Sequence, residues 1–348
     1  MKHLTALTGL IAVAAIVLLV STVASADEQT QAPSLKSSTK MQIGARPVGR
    51  IAFVGDSGVY IMDTDGKNRQ KICAVTNAKG RLSFSPDNKI VAFSREGMDA
   101  SKLPSDEGGK HLLHDVFLAY LDSASTRTSW WRRVTFSLGG HQPEWSTNDS
   151  IVYFQNDIHA NEVDYIVPSH QLAMVNVDDG HTVNLRKDWQ TLNTWMLSPS
   201  LTRDGRKVAF VISYSDDAAK YMFKTRGIKV LNMANIMVPE EELRKPSPGL
   251  ENTIAPSWSP DGQWLAYITN DMRNPGLFII KPDLTGKRQV FASSVSQQVN
   301  ADPVGWSPDS RWVTFAAADG TIYIIDINGE RLMPLTGAGK NSNPTWSR

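Results

Sequence analysis

The feature that most constrains the fold is a short pattern that recurs along the chain. Its clearest copy is "APSWSPDGQWLAYI" at 255–268, where an aromatic residue, a Ser-Pro-Asp-Gly turn and an alternating apolar run follow one another. Related segments stand at 81–94, 142–155, 199–212, 303–316 and, for the first half only, 343–348. The anchor positions are Phe84, Trp145, Leu201, Trp258, Trp306 and Trp346. The last interval between anchors is 40 residues and the earlier ones are longer. Strand-rich units with periods of roughly 40–50 residues predict a propeller or a similar array.

Each unit is predicted to form a meander of four antiparallel strands, which we call A to D from the inside outwards. Strand A ends at the anchor, and a tight turn follows. In the clearest copy Pro260 suits position i+1 of a type I turn, Asp261 tolerates i+2 and Gly262 follows at i+3. Strand B then alternates, strand C is a run such as "GLFIIKP" at 276–282, and strand D is short, as in "RQVFA" at 288–292.

The two ends of the repeat region fit together. Residues 50–73 supply strands B, C and D of a unit with no strand A before them, whereas residues 343–348 supply a strand A alone. We therefore expect the C-terminal strand to pair beside the strand at 50–55, which closes a ring and removes the exposed sheet edges of an open array. The predicted fold is all-β: a six-bladed β-propeller of four-stranded antiparallel blades over residues 50–348.

The N-terminal segment has the features of a secretory signal peptide. Lys2 is a positive start, residues 4–23 are mostly apolar, and the Ala-Ser-Ala at 24–26 matches a small-x-small cleavage site. We predict a signal peptide at 1–26, a flexible linker at 27–49 and an exported, periplasmic body. An uncleaved anchor is the alternative, because the apolar run approaches the roughly 20 residues that a membrane span needs. Contact with a membrane is expected only in that case.

Composition narrows the range of partners. Lys and Arg total 36 against 35 Asp and Glu, a formal net charge of +1, so no excess of positive charge points to nucleic acid. Cys73 is the single cysteine, which excludes an internal disulfide, so the exported body must be stabilised by its core alone. We expect a monomer without a cofactor.

The segments "PSWSPDG", "LAYITND" and "LFIIKPD" resemble the PD40 repeats of the TolB-type β-propeller family. The resemblance covers most of residues 50–348. It implies a periplasmic propeller with envelope partners, such as a peptidoglycan-associated lipoprotein. TolB carries an α/β domain before its propeller, whereas only the predicted linker stands there in this chain. Roles that depend on that domain are therefore not implied.

Two short motifs invite a catalytic or metal-binding interpretation, and both are better explained as turns. "GDSG" at 55–58 is similar to the nucleophile segment of trypsin-like proteases, but Ser57 stands between two predicted strands, where a hairpin turn accounts for it. "DTDGKN" at 63–68 resembles a calcium loop, but Gly66 is its fourth residue and Ala74 stands where an EF-hand needs Glu.

Histidines and tryptophans are the other candidates for a site. His111 and His114 are three residues apart, and with His141 or His159 nearby they could form part of a metal site. No H-E-x-x-H segment or cysteine pair accompanies them, so surface histidines in loops are the simpler interpretation. The tryptophan anchors could stack a ligand, but one aromatic per blade at a fixed register is typical of packing between sheets.

The long insertions all fall on one face of the predicted ring. In a four-stranded meander the B–C and D–A connections share a face, and the long segments are of these kinds, as at 95–114, 156–169, 188–196 and 214–226. Long loops on a rigid scaffold are a usual layout of a binding surface. The candidate binding residues in or beside these segments are Trp189, Trp195, Tyr214, Tyr221, Met222, Phe223, His111 and His114. The alternative is that the apolar ones fold back over the disc.

These observations predict an exported, non-enzymatic β-propeller that binds a protein or peptide partner in the cell envelope through its loop-rich face. Two alternatives stay open. A propeller enzyme, lyase- or hydrolase-like, or a carbohydrate-binding protein would have its site over the central channel, with a metal at His111, His114 or His141. An orphaned propeller of the prolyl-oligopeptidase kind would be inactive alone.

Overall fold

The computed structural model describes residues 47–348 apart from 97–113, 122–130, 137–139, 148, 158–168, 186–193, 215–223, 244, 270, 272 and 295–296. The described residues form six antiparallel sheets. The innermost strands of neighbouring sheets contact each other all the way round, so the sheets are the blades of a closed propeller. The predicted fold is confirmed.

The strands of each blade run from the innermost to the outermost. Blade 1 consists of β23 (Ser342–Trp346), β1 (Arg50–Gly55), β2 (Gly58–Asp63) and β3 (Gln70–Cys73). Blade 2 consists of β4 (Ala78–Phe84), β5 (Ile90–Glu96), β6 (His114–Tyr120) and β7 (Trp131–Arg133). Blade 3 consists of β8 (Gly140–Trp145), β9 (Ser150–Asp157), β10 (Ser169–Asn176) and β11 (Thr182–Asn184).

The second half of the ring follows the same order. Blade 4 consists of β12 (Thr194–Leu201), β13 (Lys207–Tyr214) and β14 (Lys224–Asn232). Blade 5 consists of β15 (Thr253–Trp258), β16 (Leu265–Thr269), β17 (Gly276–Ile280) and β18 (Arg288–Ala292). Blade 6 consists of β19 (Gly305–Trp306), β20 (Trp312–Ala316), β21 (Ile322–Asp326) and β22 (Leu332–Pro334).

The ring closes through blade 1, as the two ends of the repeat region predict. β23 pairs antiparallel with β1, with Ile51 opposite Trp346. Just beyond this pair, the N–H of Ser347 donates to the carbonyl of Arg50 at 2.8 Å. The innermost strand of this blade thus comes from one end of the repeat region and its other strands from the other end, which removes an open edge.

The recurring turn has a shared hydrogen-bonded structure. In blade 5 the Ser259 hydroxyl donates to the Asp261 carboxylate at 2.6 Å, and the same carboxylate accepts the N–H of Gln263 at 2.9 Å. The N–H of Gly262 donates to the carbonyl of Ser259, which is the bond of a type I turn. Equivalent hydroxyl–carboxylate bonds recur in blades 2, 4 and 6. The motif is therefore a structural unit.

Blade 4 departs from the four-stranded pattern in its described residues. An irregular segment at 247–251 covers the outer edge of β14: the N–H of Ile228 donates to the carbonyl of Leu250, and the N–H of Ser247 donates to the carbonyl of Ile228. A 3-10 helix (Met233–Asn235) and a short helix α1 (Glu240–Leu243) precede this segment. The segment supplies the hydrogen bonds that a fourth strand would otherwise make to β14.

Packing and hydrogen bonds join neighbouring blades near the axis. The tryptophan anchors Trp145, Trp258, Trp306 and Trp346 are each at most 6% exposed. The Ser83 hydroxyl of blade 2 accepts the N–H of Trp145 in blade 3 at 3.2 Å, and the Ser200 hydroxyl of blade 4 accepts that of Trp258 in blade 5 at 3.0 Å. The interpretation of these tryptophans as packing residues is confirmed.

The predicted signal peptide at 1–26 and most of the predicted linker at 27–49 lie outside the described residues and stay predictions. Near the end of that linker, the carbonyls of Pro47 and Val48 accept hydrogen bonds from Thr64 at 2.5 Å and from the Trp346 indole at 3.0 Å. In the part of the chain that the structure describes, no helix is long and apolar enough to cross a membrane.

Candidate functional site

The two faces of the ring differ in their connections. The turn face carries the short turns between strands A and B, such as 85–89 and 259–263, and the innermost strands end there. The loop face is the opposite side. The innermost strands begin there, and the connections from β5 to β6 and from β9 to β10 leave and return there.

A cavity opens on the axis of the ring at the turn face. Its volume is about 590 Å³, including space that is open to solvent. All six blades contribute to its lining, with serine hydroxyls and tryptophan side chains prominent among the lining groups. The charged residues of the lining are Arg81, Glu144, Arg203 and Arg348.

Arg81 owes its position to a bulge in β4. Between two paired positions, the three residues 80–82 of β4 stand opposite the single residue Phe93 of β5. In β8, β12 and β15 only two residues stand opposite one. Gly80 takes up the left-handed backbone with φ of +68°. The extra residue leaves Arg81 outside the regular ladder, so its side chain lines the channel.

The guanidinium of Arg81 connects three blades. It donates to the carbonyl of Pro256 in blade 5, which lies on the opposite side of the ring, and to the carboxylate of Glu144 in blade 3 at 3.3 Å. Only 5% of Arg81 is exposed. Burial lowers the pKa of this guanidinium, and the neighbouring Glu144 carboxylate opposes that shift.

Glu144 also binds a second arginine. Arg348 donates to the other carboxylate oxygen of Glu144 at 3.0 Å and to the carbonyl of Trp145 at 3.0 Å. The backbone N–H and carbonyl of Arg348 both bind the side-chain amide of Asn88, each at 2.6 Å. Glu144 is therefore paired with two arginines.

Two buried donors in the lining have no hydrogen-bond partner among the described residues. They are Nε of Arg81 and the indole Nε1 of Trp258. By contrast, the indole of Trp306 donates to the carbonyl of Ser257 in the preceding blade at 2.9 Å. A buried donor without a partner destabilises a protein by about 1–3 kcal/mol.

Arg203 lies at the rim of the same cavity. It belongs to the turn between β12 and β13, and its side chain is exposed. No carboxylate in the described part of the chain forms an ion pair with it, whereas Arg206 in the same turn pairs with Asp204 at 3.7 Å. The guanidinium of Arg203 is thus available to a ligand.

The described candidate histidines lie at the loop face. His114 is the first residue of β6, His141 lies near the start of β8 in the next blade, and their ring centroids are 6.0 Å apart. The expectation of surface histidines in loops is wrong for these two, since both stand on strands and His141 is buried. Burial lowers the pKa of His114, Glu96 opposes this, and Lys79 adds to it.

The other two histidines of the metal hypothesis, His111 and His159, lie outside the described residues. Within the described part of the chain, no group of three His, Cys, Asp or Glu side chains is placed to hold a metal ion. The 6.0 Å pair of His114 and His141 is the nearest approach to such a site that the predicted residues make.

The structure describes only some of the apolar candidate residues of the loop face. Trp189, Tyr221, Met222 and Phe223 lie outside the described residues. For Trp195 and Tyr214 the backbone alone is described, and it lies in strands instead of connections: Trp195 pairs with Ser213, and Tyr214 pairs with Thr194. The ladder of blade 4 thus extends farther than the sequence indicated. Both positions stand at the loop-face end of adjacent strands, and their role in binding stays a prediction.

The two motifs with a catalytic or metal-binding appearance form turns. Gly55 pairs with Gly58 across the two-residue hairpin between β1 and β2, as predicted. The Ser57 hydroxyl is hydrogen-bonded to the Tyr60 hydroxyl at 2.7 Å and accepts from the Lys71 ammonium at 2.8 Å. Among the described residues, no histidine is bonded to Ser57, so the protease-like arrangement is not formed.

The charged residues of the turn-face cavity were not among the predicted site residues. One signal was present: the position before the anchor is Ser83, Ser200 or Ser257 in three blades, but Glu144 in blade 3. A charge at a repeat position that is otherwise small and neutral marks a place where the repeat has been adapted. Its partner Arg81 stands in the neighbouring blade, but spacing does not identify it, because the bulge in β4 that places it in the channel has no signal in the repeat pattern.

Comparison with known proteins supports the fold. No family model matches the chain. TolB from Acinetobacter baumannii shares the fold with 16% identity and a TM-score of 0.61 over 86% of this chain, and putative TolB from Agrobacterium tumefaciens with 11% identity and a TM-score of 0.54 over 85%. The chain covers 66% of the former protein and 91% of the latter. The resemblance to TolB-type propellers is confirmed at the level of the fold.

The fold of this chain is also similar to that of a propeller enzyme, with a lower TM-score. An oligogalacturonate lyase in complex with manganese matches with 14% identity and a TM-score of 0.44, over 79% of this chain and 73% of the lyase. That similarity is too low to carry an argument about activity.

Proposed function

We propose that this chain is an exported, non-enzymatic β-propeller scaffold that binds a protein or peptide partner in the cell envelope. The observation that carries the proposal is the cavity on the axis of the ring, where all six blades contribute residues to one opening and five of them contribute polar or charged side chains. A closed ring holds these groups on rigid strands, which is how binding sites are usually positioned. The bound state is expected to be one monomeric propeller with its partner.

The envelope location rests on two further supports. The predicted signal peptide at 1–26 directs the chain to export. The repeats resemble those of TolB-type propellers, for which an envelope partner such as a peptidoglycan-associated lipoprotein is implied. Both are expectations from the sequence, and a direct measurement of location in the native cell is their test.

The loop face is the second part of the proposed binding surface. Trp195 stands at a strand end of this face, and the sequence predicts Trp189 and Tyr221 in its connections; aromatic residues of this kind are frequent anchors of interfaces. We propose that they contact the partner. The described elements that support this are β12 and β13, whose loop-face ends carry Trp195 and Tyr214 at successive ladder positions, opposite Ser213 and Thr194.

The scaffold role is tested by cross-linking the full chain in its native envelope and identifying the linked peptides by mass spectrometry. We expect one envelope protein to be enriched over a control propeller that carries the same tag. Replacing Trp189, Trp195 and Tyr221 by alanine should abolish its capture and leave the melting temperature unchanged. Capture that is unaltered in this triple variant would reject the loop-face assignment, and absence of any enriched protein would reject the scaffold role.

A metal-assisted enzyme is the alternative, and the proximity of His114 and His141 is the observation in its favour. Metal analysis of the purified chain separates the two functions. A stoichiometric metal that is lost in His114→Ala would support the enzyme. A chain that stays metal-free after incubation with Zn²⁺ or Mn²⁺ would count against it.

A further inference from the structure

The turn-face cavity has an excess of hydrogen-bond donors and positive charge. Its charged side chains are the guanidinium groups of Arg81, Arg203 and Arg348 and the carboxylate of Glu144. Glu144 is shared between Arg81 and Arg348, so Arg203 is left without a counter-charge among the described residues. Such an arrangement attracts an anionic group to the mouth of the channel.

The carboxylates of three neighbouring turns do not pair with the arginines of the lining. Asp87, Asp204 and Asp261 are not among the lining residues. Each accepts hydrogen bonds from its own turn, from a Ser or Thr hydroxyl and from a backbone N–H. Their acceptor capacity is used locally, and they leave the donors of the cavity unpaired.

Two hydrogen-bond donors in the cavity wall are buried and have no acceptor among the described residues. Arg81, 5% exposed, has an unpartnered Nε, and Trp258, 6% exposed, has an unpartnered indole N–H, within the part of the chain that is described. Both side chains line the cavity together with the exposed Arg203. A carboxylate accepts several such bonds at once, and bonds between a cation and a carboxylate are the stronger kind.

The walls between these donors combine aromatic and hydroxyl groups. Phe84, Trp306 and Trp346 line the same opening with exposed fractions of 1%, 5% and 3%, so each offers only a small apolar area. The hydroxyls of Ser83 and Ser257 supply further polar contacts nearby.

We infer that the turn-face cavity binds an acidic peptide segment of the partner, one carboxylate of which enters the channel mouth and binds Arg81, Arg203 and Trp258. The inference rests on the proposed scaffold function and adds a second contact, on the face opposite the loop-rich one. The carboxylate comes from a Glu or Asp side chain or from the end of the partner chain.

The test uses the purified full chain and three tripeptides in ligand-observed NMR titrations. The peptides are N-acetyl-Ala-Glu-Ala-amide, N-acetyl-Ala-Gln-Ala-amide and N-acetyl-Ala-Ala-Ala with a free carboxylate. We expect the Glu peptide or the free-carboxylate peptide to bind, and the neutral Gln peptide not to. Whichever of the two acidic peptides binds more tightly identifies the source of the carboxylate. Equal binding of the Gln peptide, or binding by none, overturns the inference.

Two arginines of one turn make a matched pair of variants. Arg203 lines the cavity, whereas Arg206 pairs with Asp204 and is not part of the lining. Arg203→Gln should weaken binding of the acidic peptide by about tenfold, as expected for the loss of one charge-assisted bond. Arg206→Gln should leave binding within about twofold of the wild type. Both residues are exposed, so both variants are expected to fold. Equal effects of the two substitutions would overturn the assignment.

Capture of the envelope partner separates this inference from the scaffold role. If the wild type and Arg203→Gln capture the same partner equally well, the acidic-ligand inference is wrong and the scaffold role stands. If the wild type captures no partner but binds the acidic peptide, the scaffold role is wrong and the site itself stands.

Discussion

The guanidinium of Arg81 in blade 2 donates a hydrogen bond to the carbonyl of Pro256 in blade 5, on the opposite side of the ring and 175 positions away in the chain. The same side chain binds Glu144 of blade 3. A buried charge thus crosses the axis of the propeller at the turn face and connects blades that are not neighbours. This contact exists only when the ring is closed, so it links the stability of the ring to the shape of the cavity.

Arg81→Met should lower the free energy of unfolding by about 3 kcal/mol, the low end of the range for breaking a buried ion pair. The low end is expected because Glu144 keeps its second partner, Arg348. Urea unfolding followed by fluorescence measures the loss. Arg206→Met, at an exposed position, is the control and should change stability by less than about 0.5 kcal/mol. A loss at Arg81 that is no larger than the control would contradict a stabilising role for the contact.

A pair of tryptophans tests the value of a hydrogen bond between blades. Trp306 and Trp258 are anchors of adjacent blades with 5% and 6% exposure, but only the indole of Trp306 has a partner, the carbonyl of Ser257. Both Trp→Phe changes remove similar volume. Trp306→Phe should therefore be the more destabilising, by about 1 kcal/mol, because it alone breaks a hydrogen bond. Equal losses in urea unfolding would show that the bond contributes nothing net.

The fold could be predicted because its determinants are local and repeated. The alternation of strand B, the Ser-Pro-Asp-Gly turn around Asp261 and the buried anchors such as Trp258 each act within one blade, and six copies support one another. The incomplete units at 50–73 and 343–348 add the closure. The irregular edge of blade 4 was not predicted, because the segment 247–251 has no strand-like alternation and is held by individual bonds to β14.

The cavity could not be predicted in the same way, because its lining residues come from all six blades and meet only in the folded chain. One extra residue in β4 places Arg81 in the channel, and a bulge of this kind has no composition signal of its own. Glu144 is visible as an exception within the repeat, but its two arginine partners come from other blades. Strand register and ring closure bring these residues together, and the local sequence pattern of a blade specifies neither.

The turn motif predicts that Gly→Ala substitutions at Gly262 and Gly337 differ in their effect on stability. Gly262 has φ of +68° and Gly337 does not have a positive φ, while a Cβ at either position would meet no heavy atom within 4 Å. Gly262→Ala should therefore destabilise the protein by about 1 kcal/mol through backbone strain alone, and Gly337→Ala should not. Gly262→Asn should lose less, since Asn88 takes up φ of +59° in the equivalent turn of blade 2. Equal effects of both alanine variants would show that strain does not explain the glycine.

The histidine at the loop face predicts a dependence of stability on pH. Burial lowers the pKa of His114 in the folded chain below its ordinary value of about 6.5. Between the lowered and the ordinary pKa the unfolded chain binds more protons than the folded one, so stability must fall as the pH falls through this window. The contribution of neutral His114 to folding stability is fully present above its ordinary pKa and is lost as the pH falls through the lowered pKa.

His114→Gln removes this proton uptake and should flatten the loss of stability between pH 7 and pH 5. The measurement is urea unfolding at several pH values, compared as the difference between wild type and variant, so that other groups cancel. His181→Gln is the matched control, because His181 is exposed, and its difference from the wild type should not change over the same range. If the His114 variant keeps the slope of the wild type, the buried histidine is not the source of the acid sensitivity, and carboxylates that titrate in the same range must account for it.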